Sequence, residues 1–260
     1  MQSITIERRY CGPPNSANGG IACGLVANAL GGNAVVTLRA PPPLGRSLDI
    51  VRAADGSVEL RDGQKLLATG LAAQLDVAEI PVASFHEAED AARRSPYSDP
   101  ENHTLPGCFV CGPARAAGDG LRLFVGPLSA NPSRKIEAFA AAWVPSADLA
   151  GKNGRIGSEF VWAALDCPSG FAGVSARHLG MSGSEPILLG RMAAQIKQCP
   201  KPGEPCVVVA WPTGRDARKF FANSALLGPD GETLAVAQAT WLIVDRQVQL
   251  GAGSGRPAEA

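Results

Sequence analysis

The sequence predicts an α+β fold in which one apolar helix and a group of antiparallel strands form a module that occurs twice along the chain. Two segments open apolar runs suited to a buried helix, one at Asn18 and the other at Gly157. Each helix is followed by four segments of strand character. Turn sequences such as Pro229-Asp230-Gly231 separate these segments and suit tight hairpins. The repeat predicts two modules, each with an antiparallel sheet that wraps its own helix.

From the helix onward, the predicted elements follow the same order in both halves. The first half contains a helix at 18–30 and strands at 35–40, 47–53, 57–61 and 65–77. The second half contains a strand at 135–143, a helix at 158–166 and strands at 187–198, 204–211, 218–227 and 233–245. The predicted organisation is a first module at 1–85, a connecting segment with a Cys-x-x-Cys motif at 86–115, a second module at 116–250 and a flexible tail at 251–260.

Composition limits the class of protein. With 260 residues, 45% apolar and 18% charged, the chain can bury a sizeable core. Its formal net charge of zero argues against nucleic acid or an anionic membrane as the main partner. No run has the length of a membrane helix, and the N-terminus lacks a basic region followed by an apolar one. Seven cysteines, an odd number, lie in mostly apolar contexts, which favours reduced, buried thiols in a cytoplasmic protein.

The first candidate site is the segment Asn18-Gly19-Gly20, which opens the first helix. A helix N-terminus presents unpaired N–H groups and the positive end of the helix dipole. Glycines at this position let a substrate carbonyl approach without a side chain in the way. Gly19 and Gly20 are therefore candidate donors to an oxyanion, and Asn18 is a candidate helix cap or substrate-orienting residue. The alternative is that the segment is only a turn and a cap.

The second candidate is Asp166, which follows six consecutive apolar residues on the second predicted helix. A carboxylate in such a position is costly unless it has hydrogen bonds or a pocket. The alternative is a residue that ends the helix, because Pro168 disfavours helix at Cys167. The first helix has glycines but no acid, whereas the second has an acid but no glycine pair. This asymmetry suggests one composite site with a part from each half.

A resemblance to a known family rests on Pro106-Gly107-Cys108-Phe109-Val110-Cys111-Gly112-Pro113, followed by Gly118-Asp119-Gly120-Leu121-Arg122-Leu123. This segment resembles the one that precedes the first strand in hotdog thioesterases of the phenylacetate-pathway type. With this segment and its tandem arrangement of two modules, the chain resembles the double-hotdog acyl-CoA thioesterases. The resemblance implies two fused hotdog modules, hydrolysis of an acyl-CoA, and no cofactor beyond the coenzyme A of the substrate.

The resemblance also implies roles for single residues. Asp166 lies nine residues after Gly157, at the offset of the family's catalytic acid, and would act as a general base or as a nucleophile. The amide would come from the first half and the acid from the second. Ser169, about one turn beyond Asp166, lies where related enzymes carry a hydroxyl that holds the attacking water.

Substrate contacts are expected between the two helices and at the mouth of the site. The predicted pocket walls are Phe160, Trp162 and Phe171. Coenzyme A carries phosphates, and the densest basic cluster, with Arg215, Arg218 and Lys219, is the candidate to bind them, although a solvated strand end explains this cluster about as well. Such modules often pair through sheet edges or faces, so a homodimer is a further expectation.

Three alternatives remain beside this interpretation. Cys108, Cys111 and His103 could bind zinc, but a structural site needs four ligands and no second pair follows, so no metal is expected. A hotdog-type enoyl-CoA hydratase or dehydratase is the second alternative. His103-Thr104-Leu105-Pro106-Gly107 loosely resembles a motif of hotdog dehydratases, but residues 116 and 117, where those enzymes carry an acid, are alanine, and the Asp-x-Asn-Pro-x-His signature of the hydratases is absent. The third alternative is a non-catalytic acyl-CoA-binding protein. In that case the missing glycines of the second half and the missing acid of the first half would reflect the decay of a former active site.

Overall fold

The computed structural model describes residues 2–129 and 136–251. In this part of the chain the helices are α1 (Gly19–Asn28), α2 (Phe85–Arg93), α3 (Ser158–Ser175) and the short α4 (Arg246–Gln249). The strands of the first half are β1 (Gln2–Thr5), β2 (Ala34–Leu38), β3 (Ser47–Arg52), β4 (Val58–Asp62) and β5 (Lys65–Ala72). Those of the second half are β6 (Gly126–Pro127), β7 (Phe139–Trp143), β8 (Ile187–Ile196), β9 (Cys206–Asp216), β10 (Lys219–Leu227) and β11 (Thr233–Ile243).

The described strands form one antiparallel sheet in the order β1-β3-β4-β5-β2-β8-β11-β10-β9-β7-β6. The first half occupies one side of this order and the second half the other. They join where β2 pairs with β8, with Val36 opposite Met192. The sheet is therefore continuous and not divided into two, and the edge-to-edge junction is one of the ways in which two modules can be fused.

The two central helices, α1 and α3, lie antiparallel and in close contact. Gly20 faces Ala163 and Asp166 near one end, whereas Gly24 faces Glu159 further along. A Cβ at Gly24 would lie 2.6 Å from the Cα of Glu159, so a larger residue would push the helices apart. This close approach brings the start of α1 beside the middle of α3.

Helix α3 continues beyond its predicted end at residue 166 and runs through Pro168 to Ser175. A proline disfavours helical backbone at the residue before it, here Cys167, and this was the reason to expect an end there. Two hydroxyl groups donate to carbonyls on this part of the helix: that of Ser224 to Leu165 and that of Ser169 to Asp166, each at 2.7 Å. All residues from Phe160 to Val174 are buried, so tertiary packing outweighs the local cost of the proline.

Most other predicted elements lie within a few residues of the observed ones. The prediction for β9 was too short: the strand continues past Pro212, where a register shift against β10 accommodates the proline. Strand β1, a short edge strand, was not predicted. The predicted strand at 135–143 begins outside the described residues, as does the predicted flexible tail after Gly251.

Helix α2 lies within the predicted connecting segment, yet it packs on the sheet of the second half. Its Ala88 and Ala91 belong to an apolar cluster with β7 and β9, separate from the main core around α1 and α3. A capping box at Ser84 and Glu87 fixes its start. Among the described residues, no helix combines the length and the apolar character needed to cross a membrane.

Candidate active site

A cavity of about 500 Å³ lies where the two halves meet. The start of α1, the middle of α3, strands β8 and β11 and the loop at 103–111 all contribute to its wall. Its lining includes the aliphatic side chains of Leu38, Ile187, Leu188, Leu189 and Leu242. It also includes polar groups from both halves, namely Asn18, His103, Asp166 and three cysteines. An apolar cavity with a few converging polar groups is typical of a small-molecule site.

Asp166 is buried, with 1% of its surface exposed, and it is held by the first half of the chain. Its Oδ2 accepts hydrogen bonds from the Gly20 N–H at 2.9 Å and from the Asn18 side-chain amide at 3.0 Å. Its Oδ1 is buried and has no hydrogen-bond partner among the described residues. The carboxyl group is therefore anchored through one oxygen, while the other is buried and unpartnered at a residue that lines the cavity.

The first-turn amides of α1 have different partners. The Ile21 N–H bonds the Asn18 side-chain oxygen at 3.0 Å, and the Ala22 N–H bonds the Asn18 carbonyl at 3.1 Å. The Gly20 N–H bonds Asp166. The Gly19 N–H has no acceptor among the described residues, and Gly19 lines the cavity. Of the two predicted oxyanion donors, Gly19 is thus the one with a free N–H, because the amide of Gly20 is already used by the carboxyl group.

Burial raises the pKa of Asp166 from its ordinary value of 3.8 to about 7. The hydrogen bonds from Gly20 and Asn18 lower the pKa in part, and the nearby Cys108 raises it. A carboxyl group with a pKa near neutrality can exchange a proton at physiological pH, as general acid–base catalysis requires.

Ser169 lies one turn after Asp166, as predicted from the sequence. Its hydroxyl donates to the Asp166 carbonyl and accepts from the Trp241 indole N–H at 2.9 Å. Trp241 belongs to β11 and lines the cavity. Ser169 therefore ties α3 to the sheet directly behind Asp166. It is fully buried and does not line the cavity, so the predicted contact of its hydroxyl with an attacking water is not seen.

Three thiols lie against this carboxyl group. The sulfur atoms of Cys108, Cys111 and Cys167 are all within 4.8 Å of one another, and all three side chains are buried. Gly112 makes the turn between Cys108 and Cys111 possible: its N–H bonds the Cys108 carbonyl at 2.9 Å, and a Cβ there would lie 2.3 Å from that oxygen. Hydrogen bonds from the Cys111 and Cys167 thiols lower the pKa of Cys108 well below its usual range.

Sequence reasoning found Cys108 and Cys111 but not Cys167. The position of Cys167 directly after Asp166 was the available signal, since neighbours on one helix turn reach the same region. The loop conformation that brings the Cys-x-x-Cys motif onto α3 is set by long-range bonds, such as that from the Phe109 N–H to the Cys11 carbonyl at 2.7 Å. Such contacts are not visible in the sequence.

His103 and Phe171 form a wall of the cavity together. Their rings lie 5.0 Å apart between centroids, and both residues line the cavity. The Nδ1 of His103 accepts from the Leu105 N–H at 2.9 Å, and its Nε2 has no partner among the described residues. Burial lowers the pKa of His103 to about 4, so its imidazole is neutral at physiological pH.

Of the predicted pocket walls, only Phe171 lines the cavity. Phe160 packs instead against Tyr10 and Phe109, and Trp162 is completely buried. Because α3 is buried on all sides, its aromatic residues point in several directions, and only some face the cavity.

The predicted phosphate-binding cluster lies at the β9–β10 hairpin and does not line the cavity. Within it, Arg215 donates to the carbonyls of Leu179 and Gly180. The basic residues that do line the cavity are Arg39 and Lys65, from the first half. Both are exposed, and neither has an ion-pair partner among the described residues. The sequence analysis did not select them.

The opposite ends of the two helices meet at a second junction. There Asn28, at the end of α1, bonds the Glu159 carboxylate at 3.1 Å and the Ser158 hydroxyl at 2.5 Å. Asn28 is exposed, and no buried acid lies at this junction. The site at Asp166 and this junction are therefore not equivalent, in keeping with the asymmetry seen in the sequence.

Comparison with known proteins places the fold. No family model matches the sequence, and no curated protein shows significant similarity to it. Among solved structures, the tesB protein of Mycobacterium avium subspecies paratuberculosis is 11% identical, with a TM-score of 0.59 and coverage of 94% of this chain and 92% of that one. A hot dog fold protein from Alicyclobacillus acidocaldarius is 12% identical, with a TM-score of 0.56 and coverage of 94% and 92%. A protein from Novosphingobium aromaticivorans, proposed to be a thioesterase, is 13% identical, with a TM-score of 0.56 and coverage of 94% and 95%. The chain therefore shares the hotdog fold of these proteins over nearly its whole length.

Proposed function

We propose that this protein is an acyl-CoA thioesterase of the double-hotdog type, with one composite active site at the junction of its two modules. The observation that carries the proposal is the buried carboxyl group of Asp166 in an apolar cavity beside the N-terminus of α1. A buried acid with one unpartnered oxygen is costly, and a catalytic role accounts for its presence there.

The two halves would contribute different parts of the chemistry. The Gly19 N–H, at the positive end of the α1 dipole, would donate to the thioester oxygen as negative charge develops on it. The Oδ1 atom of Asp166 would take the proton from an attacking water, or would attack the carbonyl carbon itself. The Gly20 and Asn18 donors hold the other oxygen and so keep the carboxyl group in one orientation.

The hydrolysis balances with these groups alone. In the general-base route, the water oxygen forms a bond to the carbonyl carbon while its proton passes to Asp166. The carbon–sulfur bond then breaks, and the thiolate of coenzyme A leaves with that proton or with one from solvent. In the nucleophilic route, Asp166 forms an anhydride with the acyl group as the carbon–sulfur bond breaks and the coenzyme A thiolate leaves, and water then cleaves the anhydride at the Asp166 carbon or at the acyl carbon. Solvent oxygen in the carboxyl group of Asp166 after a single turnover in ¹⁸O-labelled water would demonstrate the nucleophilic route with attack at Asp166.

The cavity suits the acyl part of such a substrate. Its volume of about 500 Å³ and its aliphatic lining fit a small or medium acyl group. Arg39 and Lys65, which line the cavity, would bind the phosphates of coenzyme A. These two residues replace the Arg215 cluster as the candidates for that contact.

The test is a panel of acyl-CoA thioesters, with release of free coenzyme A measured by a thiol reagent. We expect turnover by the wild-type protein and a loss of about 10²-fold or more in kcat for Asp166→Asn. Asp230→Asn, at an exposed hairpin, is the matched control and should leave the rate unchanged. Wild-type activity in Asp166→Asn would contradict the proposal. Tight binding of acyl-CoA without turnover would favour a binding protein, and hydration of an enoyl-CoA without hydrolysis would favour a hydratase.

A further inference from the structure

We propose that Cys108, Cys111 and Cys167 form a binding site for a thiophilic divalent cation of the zinc class. The three sulfur atoms come from two segments that are distant in sequence, the loop at 103–112 and helix α3. They converge on one point beside the cavity, and all three residues line it. This inference stands on the arrangement of the thiols and does not require the protein to be a thioesterase.

The spacing of the sulfur atoms fits a tetrahedral ion. Zinc–sulfur bonds of about 2.3 Å at tetrahedral angles place two sulfur ligands about 3.8 Å apart. The sulfur atoms of Cys108 and Cys167 are 3.8 Å apart, and the third lies within 4.8 Å of both. To complete the triangle, the Cys111 sulfur would have to lie about 3.8 Å from both of the others.

Two features of the surroundings, burial and the local backbone, distinguish this cluster from cysteines that only pack in a core. The exposed fractions of Cys108, Cys111 and Cys167 are 2%, 3% and 7%, so the ion would be shielded from bulk solvent. The Gly112 turn holds the first two thiols in place before any ion binds. The helix backbone does the same for Cys167.

Two unpartnered polar atoms belong to residues of the same cavity, and either would have to move toward the thiols to act as a fourth ligand, because neither lies within 4.8 Å of all three sulfur atoms. These are His103 Nε2 and Asp166 Oδ1, both buried and without a hydrogen-bond partner among the described residues. Imidazole nitrogen and carboxylate oxygen both bind zinc beside thiolates. The expectation of no metal was based on two cysteines and one histidine in sequence, and the fold adds the third thiol.

Cobalt(II) is the probe, because thiolate coordination gives it an intense near-ultraviolet charge-transfer band and tetrahedral geometry gives strong visible bands. The full-length protein is reduced, stripped with a chelator and titrated with Co²⁺ and then Zn²⁺ under anaerobic conditions. We expect about one cobalt per chain, a charge-transfer band that zinc abolishes, and about one zinc per chain by elemental analysis.

Variants separate the cluster from the other cysteines. Cys108→Ser, Cys111→Ser and Cys167→Ser should each weaken cobalt binding by at least about tenfold, whereas Cys199→Ser, outside the cluster, should bind as the wild type does. Because a cluster variant could fail to fold, circular dichroism accompanies each titration and the wild-type titration stands by itself. Absence of the charge-transfer band in reduced, folded wild-type protein would overturn the site. So would undiminished binding by folded Cys167→Ser.

The outcome is separable from that of the proposed activity. Cobalt binding is read from absorption without substrate, so a cation site could be found in a protein that hydrolyses no thioester. Conversely, turnover by the chelated, reduced protein would leave the thioesterase proposal standing, whether or not the thiols bind metal. His103→Gln and Asp166→Asn then identify the fourth ligand, since its loss alters the visible bands while the sulfur charge transfer remains.

Discussion

The Gly20 N–H donates to Asp166 Oδ2 over 2.9 Å, although 146 residues separate the two along the chain. This bond joins the N-terminus of α1 to the middle of α3 and thereby links the two halves at the cavity. It exists because α1 has a glycine at the crossing: a Cβ at Gly20 would lie 2.7 Å from the Asp166 Cβ and from the Ala163 Cα. The helix crossing and the candidate site therefore depend on the same glycine.

Gly20→Ala should destabilise the protein and abolish hydrolysis together. The new methyl group would meet helix backbone that cannot move separately, so we expect a loss of about 1–3 kcal/mol or more in the free energy of unfolding. Denaturant unfolding measures the change. Gly214→Ala is the matched control, since its nearest contact would be an ordinary 3.9 Å from Phe221. Unchanged stability in Gly20→Ala would contradict the close helix crossing.

Asn18 has two separable functions, and two substitutions should distinguish them. A serine can still cap the Ile21 N–H but has no amide to donate to Asp166. We therefore expect Asn18→Ser to keep its stability within about 0.5 kcal/mol and to lose about 10- to 100-fold in kcat. Asn18→Ala should show the same kinetic loss and an additional destabilisation of about 1 kcal/mol. Equal unfolding free energies for the two variants would show that the cap contributes nothing.

Stability should fall as pH rises toward and through neutrality, because of Asp166. In the unfolded chain this carboxyl group ionises around its ordinary value of 3.8, whereas in the folded protein it stays protonated until about 7. Between these two pKa values the unfolded state gains free energy from ionisation of Asp166, and the folded state does not. At pH 8 the raised pKa lowers the free energy of unfolding by roughly 4 kcal/mol, whereas below pH 4 it lowers it by almost nothing.

Asp166→Asn tests this window because its side chain does not titrate. In reduced, chelated protein, the unfolding free energy of Asp166→Asn relative to wild type should increase from pH 4 to pH 8 by up to roughly 4 kcal/mol. Asp230→Asn supplies the control for the same chemical change at an exposed hairpin outside the cavity. A constant difference for Asp166→Asn would show that its carboxyl group ionises normally in the folded state.

Arg39 and Lys65 should act on the coenzyme A part of the substrate and not on the reacting bond. Replacing either by glutamine should raise KM for an acyl-CoA by about 2- to 5-fold, as expected for an exposed phosphate contact. The same variants should hydrolyse the corresponding N-acetylcysteamine thioester, which lacks the phosphates, as the wild type does. Arg215→Gln, away from the cavity, should change neither value. Equal changes in KM for the acyl-CoA and for the N-acetylcysteamine thioester would show that Arg39 and Lys65 do not act on the phosphates.

The sequence predicted much of the fold because its signals are local. The helix start at Asn18 follows from a cap residue before two glycines, and the strands follow from apolar segments between turn residues. Asp166 was a candidate because a carboxyl group after six apolar residues is costly in free energy to bury. These inferences need no knowledge of which elements meet in space.

The walls of the site could not be predicted in the same way. Phe160 and Trp162 were expected to line the cavity, but a helix buried on every side has no apolar face that indicates which residues do so. Arg39 and Cys167 became candidates only through the pairing of β2 with β8 and the docking of the 103–112 loop. Helix α3 continues through Pro168 because the burial of its residues outweighs the local preference for a helix end.

The central claim is that the carbonyl group of a thioester binds between the Gly19 amide and the Asp166 carboxyl group. The most direct measurement is a crystal structure with a non-hydrolysable acyl-CoA ketone analogue, in which a methylene group stands between the carbonyl carbon and sulfur. We predict that the ketone oxygen accepts a hydrogen bond from the Gly19 N–H, that Asp166 Oδ1 lies next to the carbonyl carbon or to a water beside it, and that the acyl group fills the cavity. An analogue bound with its ketone group outside this cavity, or with Asp166 out of reach of it, would contradict the account.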